Sequence, residues 1–254
     1  MMRKIFPYCF LFLILISCSN KEKKSKSITV FAAASVTNVI QEIAKSYSKE
    51  TGVKIRLNIA SSGILARQIE SGADFDYYIS ASKTWMDYVD SNKLVAHNSV
   101  CTVAGNSLVA IVPNNSEISV IDTSNIYNFP KLFRGRLSLG DPGHVPVGKY
   151  SVQVLKYYQC NETLLDRYLP AKNARDALFM VEMAECGMGM VYASDAINSQ
   201  KVKIIYEFPD KACDPIRYYA AISNGENQYM NQFLEFMKSD QVKEIWKRNG
   251  FKDL

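Results

Sequence analysis

The sequence predicts an α/β chain folded as two lobes, and three observations predict it. From Ser27 onward short apolar runs alternate with stretches of helical periodicity, the pattern of strands joined by helices in mainly parallel sheets. Eight such runs can be read, which is generous for one open sheet. A stretch of turn-formers, "VPNNSEISVIDTSN" (112–125), interrupts the alternation where a chain could cross between lobes.

The N-terminal residues are of another kind. Arg3 and Lys4 precede an apolar run from Ile5 to Ile16. It is too short to span a bilayer, which takes about 20 residues, and suits the hydrophobic part of a secretory signal. The run ends in "LISC" (15–18), which resembles the site at which bacterial lipoproteins are cleaved and acylated on cysteine. Residues 1–17 are thus expected to be a signal peptide and Cys18 the lipidated residue, anchoring an extracytoplasmic protein to a bacterial membrane. "SNKEKKSKS" has nothing to bury, so 18–27 is expected to be a disordered tether.

The predicted strands follow in order as "ITVFAAA" (28–34), "KIRLNIA" (54–60), "DYYISAS" (76–82), "SLVAIVP" (107–113), "RLSLGDP" (136–142), "GMGMVYA" (187–193), "KIIYEF" (203–208) and "IRYYAAIS" (216–223). After the first, Val36, Val39, Ile40, Ile43, Ala44 and Tyr47 recur at steps of three and one, a single apolar stripe on a helix. Further helices are predicted at "ILARQIES", "KYSVQVLKYY" and "RDALFMVEMAE"; "EFMKSDQVKEIWKRNGF" closes the chain with two more, Ser239 or Asp240 capping the second. With the return crossing near "DKACDPIRYY", lobe one is expected from 28–112 plus 216–254 and lobe two from 113–215.

Charge and cysteine narrow the function. The chain carries a formal charge of +5, yet six of its thirty bases and one of its twenty-five acids lie in residues 1–27. The folded part is therefore neutral, which argues against a nucleic-acid partner, since those depend on a basic face. Cys101, Cys160, Cys186 and Cys213 permit disulfides in three connectivities, and the sequence selects none. There is no CxxC pair, and only His97 and His144 could add imidazole, so no metal cation and no cofactor are expected.

Four places deliver small or hydroxylated residues to the start of a helix: "AAAS" (32–35), "IASSG" (59–63), "GDPGHVPVG" (140–148) and "PAKNA" (170–174). Helix starts expose unpaired amides and the positive end of the backbone dipole, and several aimed at one point would hold an anion. A serine hydrolase would need a nucleophile, a base and an oxyanion hole. Ser35 with His144 or His97 is the arrangement to consider, but no GxSxG elbow or recognisable triad order is present. No enzymatic activity is expected.

Taken together, "ITVFAAAS", "ASSGILARQIESGADFDYYISAS", "WMDYV", "GNSLVAIVP", "GDPGHVPVGKY", "NARDAL", "GMVYASDA" and "EIWKRNGF" closely resemble the periplasmic molybdate-binding proteins of ABC importers, over about Ile28 to Phe251. The resemblance implies a two-lobed periplasmic-binding-protein fold with a hinge between lobes. It implies a receptor, monomeric as such receptors usually are, that closes on molybdate or tungstate and serves an ABC permease. The family's hydroxyl ligands fall on Ser35, Ser62 and Tyr192, with Ser61 a possible additional one, and its backbone ligands on the amides of Val147 and Ala174. The chain departs from the family at Gly63, where serine or threonine is common, and at Val147, Asn173, Ala174 and Ala193. Other readings left open are a receptor of this fold for sulfate or thiosulfate, and a lipoprotein that senses oxyanions.

Overall fold

A computed structural model describes residues 26–253. The signal peptide, Cys18 and all but the last two residues of the expected tether lie outside the described residues. Ser27 already belongs to a strand, pairing with Lys54.

The first sheet starts with β1 (Ser27–Ala33), then the helix α1 (Thr37–Thr51) and β2 (Lys54–Ala60). The apolar stripe read from the sequence is the buried face of α1: Val39, Ile40, Ile43, Ala44 and Tyr47 all turn inward. Gly52, at φ 70, ends the helix in the left-handed conformation that glycine adopts without penalty. β2 pairs parallel with β1, setting Ala33 against Ala60. Next come α2 (Ser62–Glu70), β3 (Tyr77–Ser80), which pairs parallel on the other side of β1, α3 (Lys83–Ser91) and β4 (Cys101–Gly105).

Asn106 and Ser107 then carry the chain to the second sheet. It contains β5 (Leu108–Pro113), β6 (Leu137–Gly140), β7 (Tyr168–Ala171), β8 (Met188–Tyr192) and β9 (Val202–Glu207). The helices α4 (Pro146–Tyr157), α5 (Asn161–Leu164), α6 (Ala174–Glu182) and α7 (Ala193–Ile197) lie among them. The chain returns as β10 (Arg217–Ile222) and ends in α8 (Met230–Met237) and α9 (Asp240–Arg248). Of the two candidate caps for the last helix it is Ser239 that serves, its Oγ accepting from the Val242 N–H at 3.4 Å. The strand orders are β2-β1-β3-β10-β4 and β7-β6-β8-β5-β9.

Three expectations change. The first crossing falls at Asn106–Ser107 and not after Val112, so residues 108–112 leave lobe one. β5 is almost wholly buried between antiparallel neighbours β8 and β9, and an apolar run alone does not say which sheet it enters. The turn-rich stretch instead belongs to lobe two, where the Ile121 N–H donates to the Ile205 carbonyl. Second, β4 and β7 join the eight predicted strands. Both are edge strands, short and only partly buried, and β7 contains Pro170, which an edge tolerates. Third, each sheet is mixed: the strands that follow a crossing, β5 and β10, run antiparallel to their neighbours because the chain enters the sheet from the opposite direction.

Candidate functional site

Three chain ends from each sheet meet in one hollow. From the first sheet come Ala33, Ala34 and Ser35 after β1, Ser61 and Ser62 after β2, and Ala81 after β3. From the second come Val145, Pro146 and Val147 at the start of α4, Ala174 at the start of α6, and Tyr192 at the end of β8. These are carboxyl ends of strands, where ligands sit in α/β folds. Ser35, Ser61, Ser62, Val147, Ala174 and Tyr192 are thus brought together around one small hollow. Every lining residue is buried.

Among the described residues the lining has no charged side chain and several hydrogen-bond donors. Ser35 Oγ accepts from the Tyr218 hydroxyl at 3.0 Å, and Ser62 Oγ accepts from the Ala81 N–H at 3.0 Å. Each hydroxyl thereby keeps a proton to give. Ser61 is the cap of α2, its Oγ accepting from the Ile64 N–H at 3.4 Å. Tyr192 is 1 % exposed, and its hydroxyl has no hydrogen-bond partner among the described residues. Burial pushes its ionisation well above the ordinary tyrosine value, so the phenol stays a neutral donor.

Two helix starts supply amides. In α4 the first residue is Pro146, which has no N–H, leaving Val147 as the helix's first available donor. The turn before it is drawn tight: a Cβ on Gly148 would stand 1.9 Å from the Gly140 carbonyl oxygen, so only glycine allows this approach. In α6, Asn173 caps the helix by accepting from the Asp176 N–H at 3.0 Å, and Ala174 follows as the first helical residue.

The lobes also touch beside the hollow. Trp85 of α3 donates from its indole N–H to the His144 carbonyl at 3.1 Å, and Lys149 of α4 lies over its ring at 5.2 Å. Gly63 explains how they come so close. A Cβ there would be 2.8 Å from the Trp85 ring and 2.9 Å from the His144 carbonyl oxygen. The missing hydroxyl at Gly63 is therefore traded for closure of the seam. His144 contributes that carbonyl, while its ring stands 3.7 Å from Asp141 on a partly exposed turn.

Behind Tyr192 lies a buried ion pair that sequence reasoning missed. Arg175 Nε is 3.1 Å from Asp195 Oδ1, a wholly buried carboxylate, in an orientation that makes no aligned hydrogen bond. Burial pushes the Asp195 carboxyl up to about 7 despite the downward pull of Arg175. Asn106 and Tyr218, which support Ser35, were missed too. Asn106 lies within "GNSLVAIVP", but nothing local marks either residue as a support, and only folding brings them to the site. Among the described residues Cys101, Cys160, Cys186 and Cys213 are free thiols, and no group of three or more His, Cys, Asp or Glu converges.

Comparison with known proteins agrees with this architecture. The family model described as bacterial extracellular solute-binding protein matches residues 28–252. The molybdate-binding protein ModA of Escherichia coli is 41% identical over 226 residues, covering 88% of each chain. ModA of Haemophilus influenzae is 37% identical, over 88% of this chain and 89% of its own. The solved periplasmic molybdate-binding protein of Azotobacter vinelandii superposes with a TM-score of 0.79 at 21% identity, over 89% of this chain and 99% of that one, a likeness of fold. These relatives are solute-binding proteins and not enzymes.

Proposed function

We infer the function from one premise: the chain belongs to the bacterial extracellular solute-binding proteins, and among them to the molybdate-binding proteins of ABC importers. It captures molybdate, and tungstate with it, in the hollow between the lobes and hands the ion to an ABC permease. It does so as a monomer, held at the membrane by lipid on Cys18.

One observation carries this reading: uncharged donors from both sheets line one hollow between buried residues, and the hydroxyl of Tyr192, one of those residues, is unpartnered among the described residues. A buried dianion is costly unless its oxygens are solvated by the protein. Here Ser35, Ser62 and Tyr192 offer hydroxyls, and Val147 and Ala174 offer amides. Each hydrogen bond to a charged group contributes about 1.5–3 kcal/mol. Five of them, offset by the costs of closure and ordering, are consistent with roughly 8–12 kcal/mol, micromolar to nanomolar binding. A lining without Arg or Lys is no obstacle, because preorganised dipoles and helix starts do the work of a countercharge.

Calorimetric titration of the protein with molybdate, tungstate, sulfate and phosphate tests the reading. Tight one-to-one binding of molybdate and tungstate, with a matching rise in melting temperature, is expected. Stronger binding of sulfate, or no binding of any of the four, overturns it. Mass spectrometry of protein extracted from bacterial membranes tests the anchor: acylated Cys18 is expected at the N-terminus, and a Cys18→Ser variant is expected to carry no lipid.

A further inference from the structure

The serine at the end of "FAAAS" is the last member of a line of hydrogen bonds that starts in the crossing between lobes. Asn106, 4 % exposed, stands between β4 and β5, and its backbone N–H donates at 3.0 Å to the carbonyl of Ile216 on the return crossing. Its side-chain oxygen accepts from the Ser107 N–H at 2.9 Å. A backbone N–H can only donate, so this contact fixes which end of the amide is oxygen. The amide nitrogen then faces the other way and gives its two protons to Ser194 Oγ at 2.8 Å, in lobe two, and to the Tyr218 hydroxyl oxygen at 3.2 Å, in lobe one.

Direction propagates from there. Tyr218 is fully buried, and among the described residues its hydroxyl has two hydrogen-bond partners, Asn106 and Ser35. The Asn106 nitrogen cannot accept, so the phenol proton goes to Ser35 Oγ. Burial keeps that phenol protonated by pushing its ionisation far above the ordinary range. Ser35, having accepted, is left with its own proton, and the hollow lies in front of it.

We propose that Asn106 and Tyr218 are positioning residues that determine specificity: they lock Ser35 as a hydrogen-bond donor, so the site accepts a fully deprotonated oxyanion and rejects one of equal charge that carries a proton. This rests on the oxyanion reading above and adds to it the source of the selectivity. Monohydrogen phosphate is the discriminating probe. It has the charge of molybdate but must place an O–H against a lining already facing it with protons, and an unmade bond at a buried polar contact costs heavily.

Asn106→Asp tests the direction of the line. The carboxylate keeps the shape of the amide but accepts where the amide donated. Tyr218 then gives its proton to residue 106, takes one from Ser35, and leaves Ser35 presenting a lone pair. Molybdate and monohydrogen phosphate are titrated, the latter by displacement of molybdate, at a pH where both are dianions, so the added negative charge acts on both alike. The ratio of their dissociation constants is expected to narrow at least tenfold relative to the wild-type protein. Tyr218→Phe keeps the ring packing and frees the Ser35 proton, and a smaller narrowing is expected. A ratio within twofold of wild type in Tyr218→Phe, and in Asn106→Asp where circular dichroism shows that variant folded, overturns the proposal however far absolute affinities move. Failure of the wild-type protein to bind molybdate in the same titration removes the parent reading instead, so the two failures are distinct.

Discussion

At the scale of single residues, Ser35, Ser62 and Tyr192 differ from ordinary buried hydroxyls in having a donor proton without a partner among the described residues. Removing one such donor from a buried charge costs about 1.5–3 kcal/mol. Ser35→Ala and Tyr192→Phe are each expected to weaken molybdate binding by roughly tenfold or more by calorimetry, and wild-type affinity in both would refute the assignment. Asp195 makes a different prediction. Its folded carboxyl titrates at about 7 and its unfolded one near 3.8, so the folded protein holds a proton that the unfolded chain releases between them. Stability from this group is present below about 4 and declines as pH rises to about 7. Melting curves across that range are expected to fall less steeply for Asp195→Asn. The hydroxyls were legible in the sequence because each sits in a motif at a helix start. The Arg175–Asp195 pair and the Asn106–Tyr218 support were not, since their partners lie far apart along the chain.

Elements explain why these donors point one way. Strand ends feed helix starts at α2, α4 and α6, and a helix start leaves its first amides unpaired toward whatever lies ahead. Pro146 and Asn173 sharpen this, one by having no N–H and the other by capping the amide at Asp176. The seam between α2, α3 and the turn before α4 is just as specific. Gly63→Ala places a Cβ where Trp85 and the His144 carbonyl meet, a clash with the carbonyl that exists only while the lobes touch. The Trp85 ring belongs to the same lobe, so the ligand-free melting temperature is expected to fall somewhat, and molybdate affinity is expected to weaken severalfold beyond that because of the carbonyl; a lower melting temperature with unchanged affinity would show that only the contact within lobe one matters. Most elements could be read from periodicity. β4 and β7 escaped because their runs, "CTVAG" and "YLPA", are short and carry no marked apolar pattern.

Across the whole molecule, two thin crossings join the lobes, at Asn106–Ser107 and ahead of β10, and the chain's end adds a third strap. The Lys252 N–H donates to the Gly105 carbonyl at 3.0 Å, while the Asn198 side chain of lobe two donates to the Asn249 carbonyl at 3.1 Å. Such an arrangement suits bending about the crossings, with the ligand drawing the lobes together. Trp85 sits on the seam and Trp246 in the lobe-one core against Phe251 and Tyr218. Molybdate is expected to change the tryptophan fluorescence, and Trp85→Phe to abolish most of that change while Trp246→Phe keeps it. Loss of the signal in Trp246→Phe alone would place the movement elsewhere.

Periodicity, capping and small-residue motifs are local and need no knowledge of distant partners, so the α/β class, the apolar faces, the helix starts and the candidate residues of the site could all be read along the chain. That β5 belongs to the second sheet, that Gly63 makes room for the seam, and that Asn106 and Tyr218 stand behind Ser35 emerges from the folded chain alone. Those depend on contacts between residues up to 183 positions apart, as Tyr218 is from Ser35, and no local pattern encodes a distance.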